Sequence, residues 1–142
     1  MMSLRSVLSV VAGQPPATAA KTVTVLEAAL LMKEQDKGAL LVVEGSRLIG
    51  IFTERDALFR VVAAGRDPAT TKLSEVMTPQ PQTISPGEPF VNALRIMHKH
   101  GFRHLPVVEH GRPLGVVSAR DALDDDLYDL RVDLVQRGDE RD

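Results

Sequence analysis

Two short stretches each place a hydroxyl and a carboxylate three residues apart: Thr53-Glu54-Arg55-Asp56 and Ser118-Ala119-Arg120-Asp121. Each follows an apolar, β-branched run and precedes helical patterning, so each marks a strand end and a helix start. Two kinds of chemistry suit that placement. In one, hydroxyl and carboxylate form a capping box and satisfy orphan backbone N–H groups. In the other, the helix start and its hydroxyl receive a phosphate, while the carboxylate accepts hydrogen bonds from two vicinal ribose hydroxyls. The spacing is equally compatible with both. Arg55 and Arg120 recur inside the two stretches, where they suit either a surface ion pair with the neighbouring Asp or a phosphate contact. Arg103, His104 and Pro106 stand ahead of the second stretch; Gly38, Ala39 and Leu41 hold the matching places ahead of the first.

Most other chemistry is excluded by what the chain lacks. Without cysteine there is no disulfide, no thiolate nucleophile and no Cys-ligated zinc. The four histidines are His98, His100, His104 and His110. On a helix, His98 and His100 point to different faces, so no zinc pair at i, i+4 spacing forms and no metal site is expected. Neither a Gly-x-Ser-x-Gly elbow nor a Walker loop is present, so no enzyme activity is expected. A net charge of −2, with both signs mixed along the chain, gives no footprint for nucleic acid or anionic lipid. No segment approaches the roughly 20 apolar residues of a membrane span. Arg5, the apolar stretch Val7 to Ala12 and Ala17-Thr18-Ala19 have the order of a secretory leader, but the apolar run is short and broken by Ser9. A cytoplasmic protein is the expectation.

The elements that must position these residues come as a duplication. Shifted by 65 positions, residues 8–58 overlay 73–123 without a gap, with 17 identities in 51 positions, where unrelated segments give about 3 or 4. They run from Leu8/Leu73, Ser9/Ser74 and Val11/Val76 to Arg55/Arg120, Asp56/Asp121, Ala57/Ala122 and Leu58/Leu123. In each copy an amphipathic helix comes first: Val25, Ala28, Ala29 and Met32, then Phe90, Ala93, Leu94 and Met97, all at i, i+3, i+4 and i+7. Pro89 suits the first helical position. An apolar hairpin follows, Leu40–Val43 with Leu48–Phe52 and Leu105–Val108 with Leu114–Val117, its strands covered on both faces. A second helix is expected from Thr53 and from Ser118. Residues 64–72 read as a connector. Beyond the second copy, Leu123, Leu127, Leu130 and Leu134 form a helical stripe, with Asp124, Asp125, Asp126, Asp129 and Asp133 mostly on a solvated opposite face. The tail from Gly138 reads as frayed.

Gly50-Ile51-Phe52-Thr53-Glu54-Arg55-Asp56 and Gly115-Val116-Val117-Ser118-Ala119-Arg120-Asp121 resemble the G-h-h-T/S-x-x-D signature of CBS domains, and Gly101-Phe102-Arg103-His104-Leu105-Pro106-Val107-Val108 resembles the family segment leading into the hairpin. The resemblance covers about residues 8 to 134. It implies an α/β fold of tandem CBS repeats, a Bateman module, with repeats at 8–71 and 73–134. Each repeat would hold a small sheet flanked by two helices, the pair packed about a pseudo-twofold axis. It further implies a stand-alone, non-catalytic regulatory module that binds an adenine nucleotide (AMP, ADP or ATP) in the cleft between repeats. Such a module would need no catalytic cofactor, would pair as a homodimer, and would act on an effector protein in trans. By resemblance, Asp56 and Asp121 would bind ribose, and Thr53 and Ser118 phosphate. Arg103 and His104, just before Leu105 and Pro106, would face the phosphates; Arg120, read from its own place in the stretch, is a further candidate contact. Val23, Ile49, Ile84 and Leu114 suit either an adenine slot or the core. Since the first copy lacks the basic pair, its site should be the weaker. The alternatives are a ligand-free dimerisation module, or a binder of NAD or S-adenosylmethionine.

Overall fold

The computed structural model describes residues 5–138. In chain order the elements are α1 (Val7–Val11), β1 (Thr18–Ala19), α2 (Val25–Gln35), β2 (Ala39–Glu44) and β3 (Arg47–Thr53). Then come α3 (Glu54–Asp56), running into a π-helical stretch Ala57–Val62, followed by α4 (Leu73–Val76) and β4 (Thr78–Pro79). The second copy supplies α5 (Phe90–His100), β5 (His104–Glu109), β6 (Arg112–Ser118), a 3₁₀ turn Ala119–Asp121 and α6 (Asp124–Gln136). Two compact units result. Unit 1 holds residues 5–14, Thr83–Glu109 and 114–138; unit 2 holds Pro15–Gln82 with His110–Pro113. The short helix heading each copy therefore packs with the other copy's elements.

Unit 2 carries a four-stranded sheet in the order β1-β2-β3-β4. β2 and β3 pair antiparallel from Ala39↔Thr53 to Glu44↔Arg47. β1 runs parallel to β2, and β4 closes the other edge against Gly50 and Ile51. Ala39 to Val42 are all buried, as expected of a strand covered on both faces. Thr24 caps α2 by accepting the Glu27 N–H at 3.2 Å, and Asp36 ends it in a left-handed turn at φ 53°. Along α2, Val25, Ala28 and Met32 enter the core with Leu40, Val42 and Phe52, whereas Ala29 is exposed.

Unit 1 keeps a two-stranded sheet, β5-β6, and one proline accounts for part of the difference. In unit 2 the Leu41 N–H donates to the Ala17 carbonyl at 2.9 Å and helps extend the parallel pairing over two residues. Pro106 holds the matching place and has no N–H to donate. The bridge there shrinks to Ile84↔Val107, held by Ile84 N–H to Pro106 O and Val108 N–H to Ile84 O, both 3.0 Å. α5 buries Phe90, Ala93, Leu94 and Met97 as expected and ends at Gly101, φ 74°. Pro89 is its N-cap rather than its first residue. β6 alternates buried and open positions, with Gly115 and Val117 in and Leu114 out, so only part of this hairpin is covered on both faces.

The overlay of the two copies is not gapless. Val7 donates its N–H to Glu88 O at 2.8 Å, and Leu73 does the same to Val23 O at 2.9 Å. Val11 packs under Gly115 and Met77 under Gly50. These equivalences are 66 residues apart, not 65. Leu8 is accordingly exposed while Leu73 is fully buried. The identities Leu8/Leu73, Ser9/Ser74 and Val11/Val76 are coincidences of an arm that slips by one residue before β1.

Two expectations for the C-terminal stretch are also corrected. No α-helix starts at Ser118: it caps only a three-residue 3₁₀ helix that ends in an extended Ala122, and α6 starts at Asp124. Three aspartates favour a new helix start there, and Asp126 Oδ2 accepts the Leu123 N–H at 2.9 Å. The acidic face is solvated only in part, with Asp124 and Asp125 exposed. Asp126 and Asp129 are buried, while Leu123, Leu127 and Tyr128 are exposed. Arg5 Nη1 donates to Asp126 Oδ2 at 2.5 Å, and Arg95 and Arg137 pair with Asp133. A carboxylate enters a core only when paired, and Arg5 meets Asp126 from 121 residues away. Leu130 is half-buried against the core of unit 1. Of the frayed tail, only Gly138 lies among the described residues.

Candidate functional site

Each hairpin's second strand ends at the hydroxyl residue, and one backbone bond repeats in both units. Glu54 N–H donates to Gly38 O, and Ala119 N–H donates to Arg103 O, both at 3.0 Å. That bond ties the residue before the hairpin to the turn after it. In unit 1 it sets Arg103 beside Ser118-Ala119-Arg120-Asp121. In unit 2 the same place holds a glycine. His104 is half-buried at the start of β5, at the position equivalent to Ala39, which pairs with Thr53. Pro106 is buried in the same strand.

Capping is present in both units, but it uses up the two aspartates differently. Asp56 Oδ2 accepts from Thr53 N–H at 2.9 Å and from Thr53 Oγ1 at 3.1 Å. Thr53 Oγ1 in turn accepts the Asp56 N–H at 3.3 Å. The other oxygen, Oδ1, faces Arg60 Nε at 3.5 Å. Asp56 is 9% exposed. Asp121 is half-exposed. Its Oδ2 accepts the Ser118 N–H at 2.7 Å, and among the described residues Oδ1 takes no hydrogen bond. Ser118 Oγ accepts the Arg120 N–H at 3.2 Å and keeps its own proton to donate.

The arginines depart from the surface-pair expectation. Among the described residues neither Arg55 nor Arg120 pairs with an aspartate. Arg55 lies over the Phe59 ring at 5.3 Å, a cation–π contact. Arg103 and Arg120 are exposed. The pair to Asp56 comes from Arg60 at i+4, a residue the sequence reading missed although Asp-to-Arg at that spacing is a legible helical signal. The element after Ser118 is a three-residue turn, so any attraction for an anion there rests on side chains, not on a helix dipole. Ile84 is buried, Val23 and Ile49 half-buried, and Leu114 37% exposed. His100 stacks on Phe102, with ring centroids 5.5 Å apart.

The model of the CBS domain matches this sequence twice, over residues 7–63 and 73–127. The chain belongs to the CBS domain family. CBS domain pairs are generally regulatory, non-catalytic modules. It is 38% identical over 105 residues to the CBS domain-containing protein YhcV of Bacillus subtilis, covering 74% of each chain. It spans 16% of the length of longer CBS domain-containing relatives in Arabidopsis thaliana. A CBS domain protein of Pyrobaculum aerophilum, solved complexed with AMP, superposes with a TM-score of 0.81 at 25% identity, over 90% of this chain and 99% of that one. The CBS domain pair of protein MJ0100, solved with 5′-methylthioadenosine and S-adenosyl-L-methionine, gives 0.74 at 26% identity, over 82% and 95%. Among the described residues of this CBS pair, no helix is long and apolar enough to cross a membrane.

Proposed function

We propose that this CBS pair is a cytoplasmic regulatory module that binds an adenine nucleotide through the second copy and acts on a partner protein in trans. The half-exposed Asp121 carries the reading, because its capping bond leaves Oδ1 open to ribose hydroxyls. Arg103 and Arg120 are exposed cations next to it, fit for phosphate oxygens. His104 and Ser118 supply further polar contacts, and Pro106 and Ile84 an apolar wall. Thr53 and Asp56 form the lesser site. The AMP complex of the Pyrobaculum relative supports the ligand class. S-Adenosylmethionine is the second reading, supported by the MJ0100 complex. The exposed Leu123 at the N-cap of α6, with Leu127 and Tyr128 on the helix, supports self-association as a homodimer.

The test is calorimetry and thermal shift on nucleotide-stripped protein with AMP, ADP, ATP, NAD and S-adenosylmethionine. Ligand at 100 times its Kd adds about 2.7 kcal/mol of stability. A rise with one adenosyl ligand identifies the signal; a flat panel sinks the nucleotide reading and leaves a dimerisation module.

A further inference from the structure

The two copies present the same hydroxyl-carboxylate device, yet only one aspartate has an oxygen to spare. In both, Oδ2 is spent on the backbone N–H of the hydroxyl residue: Thr53 to Asp56 at 2.9 Å, Ser118 to Asp121 at 2.7 Å. The difference lies at Oδ1. On Asp56 it faces Arg60 Nε at 3.5 Å. On Asp121 no described residue approaches it with a hydrogen bond or ion pair.

Arg60 is fixed in that position. Its Nη1 donates to the carbonyls of Val76 and Met77, each at 3.2 Å. These carbonyls belong to the end of α4 and the residue after it, so the guanidinium is pinned between the π-helical stretch and a neighbouring segment. Guanidinium is a planar set of donors; here part of it serves two carbonyls and Nε faces the carboxylate. The second copy cannot do the same. Asp125 stands 65 residues after Arg60, and the chain there has already broken into a new helix.

We propose that Arg60 is an internal occupant of the first copy's nucleotide site, and that it sets the ligand stoichiometry of this chain at one. The inference rests on the reading of Asp121 as a ribose ligand. Its own content is that Asp56 has the same capacity and that Arg60 withholds it. Without Arg60 the first site accepts the nucleoside part of a ligand but gains little from its phosphate, because Gly38 and Ala39 replace the basic pair Arg103 and His104.

Equilibrium dialysis with AMP and with adenosine, on the full chain, tests it. The unaltered chain is expected to take up one equivalent of either. Arg60→Gln, checked for an unchanged circular dichroism spectrum, is expected to take up a second equivalent of adenosine. Two equivalents on the unaltered chain overturn the proposal, as does a single equivalent on a folded Arg60→Gln variant. If that variant does not fold, Asp121→Asn in the presence of Arg60 decides: its adenosine binding should fall by ~10- to 100-fold, the loss of a charge-assisted contact, and undiminished binding overturns the proposal. A chain that binds neither AMP nor adenosine overturns the nucleotide reading itself, and this inference with it. Binding of one equivalent by every variant overturns the role of Arg60 alone.

Discussion

Unit 2 is the more fully satisfied of the two. It has four strands, a carboxylate at 9% exposure that is hydrogen-bonded through Oδ2 and ion-paired through Oδ1, and an arginine reaching across it. Unit 1 has two strands, a proline where the parallel pairing would have an N–H, and an aspartate with one open oxygen. It also packs α6 through charge, with Arg5 on Asp126 and Arg95 on Asp133. One ancestral pattern has thus been kept twice and used differently. On the function proposed above, the copy whose polar groups satisfy one another serves as scaffold. Where they stop short, a surface is left that a ligand can complete.

The largest effect should come from the charged packing of unit 1. Arg5→Ala strands Asp126, 1% exposed, in the core. A loss of roughly 3 kcal/mol is expected, as for breaking a buried pair from one side, read as a lower urea midpoint. A change below about 0.5 kcal/mol, typical of a neutral surface substitution, would mean that α6 is held by its apolar contacts alone.

Next comes the contrast between the aspartates. Asp121→Ala should weaken ribonucleotide binding by about 1.5–3 kcal/mol and leave 2′,3′-dideoxy analogues nearly unchanged. Asp56→Ala should leave both ligands' affinities alone and cost about 1 kcal/mol of stability as a lost cap. Equal loss for ribo- and dideoxy ligands in Asp121→Ala would remove the ribose role.

A smaller difference lies beneath the hairpins. A Cβ at Gly115 would sit 2.7 Å from Val11 Cβ, which is fixed to α1, whereas one at Gly50 would meet the flexible end of Met77, Sδ at 2.5 Å. Gly115→Ala should therefore cost about 1–3 kcal/mol and Gly50→Ala less. Thermal melts that rank them the other way would show that α1 yields more readily than Met77.

The smallest effect belongs to unit 2. The Lys72 N–H, at 2.7 Å, and the Arg66 guanidinium hold the Glu75 carboxyl below its ordinary value of 4.5. Because the folded carboxyl is the stronger acid, its contribution is complete above that value and is lost as pH falls through the lowered one. Glu75→Gln should flatten the acid limb of Tm against pH slightly. An unchanged limb would show that this exposed pair contributes nothing measurable.

Much of this was legible in the residues. The 3.6-residue spacing of Phe90, Ala93, Leu94 and Met97 located α5, and the β-branched runs located both hairpins, because periodicity reports burial directly. The T/S-x-x-D spacing located both capping boxes. The same apolar rule failed on α6, where Leu123 and Leu127 face out and Asp126 and Asp129 face in. It failed because a charge partner distant in sequence leaves no periodic trace. The one-residue slip of the first arm was hidden for a similar reason, since Leu8 matches Leu73 by type but only contacts reveal which of them is buried.

The sequence by itself determined the duplication, the elements of each copy and the residue types at each strand end, since these depend on local spacing and on turn and cap chemistry. The tertiary structure alone decided that α1 and α4 each join the other copy's elements, that α6 turns Asp126 and Asp129 inward, and that Arg60 engages Asp56 while Asp121 keeps an oxygen open. Those outcomes depend on which polar groups meet across long stretches of chain. Burial makes such meetings energetically decisive, and nothing in local spacing encodes them.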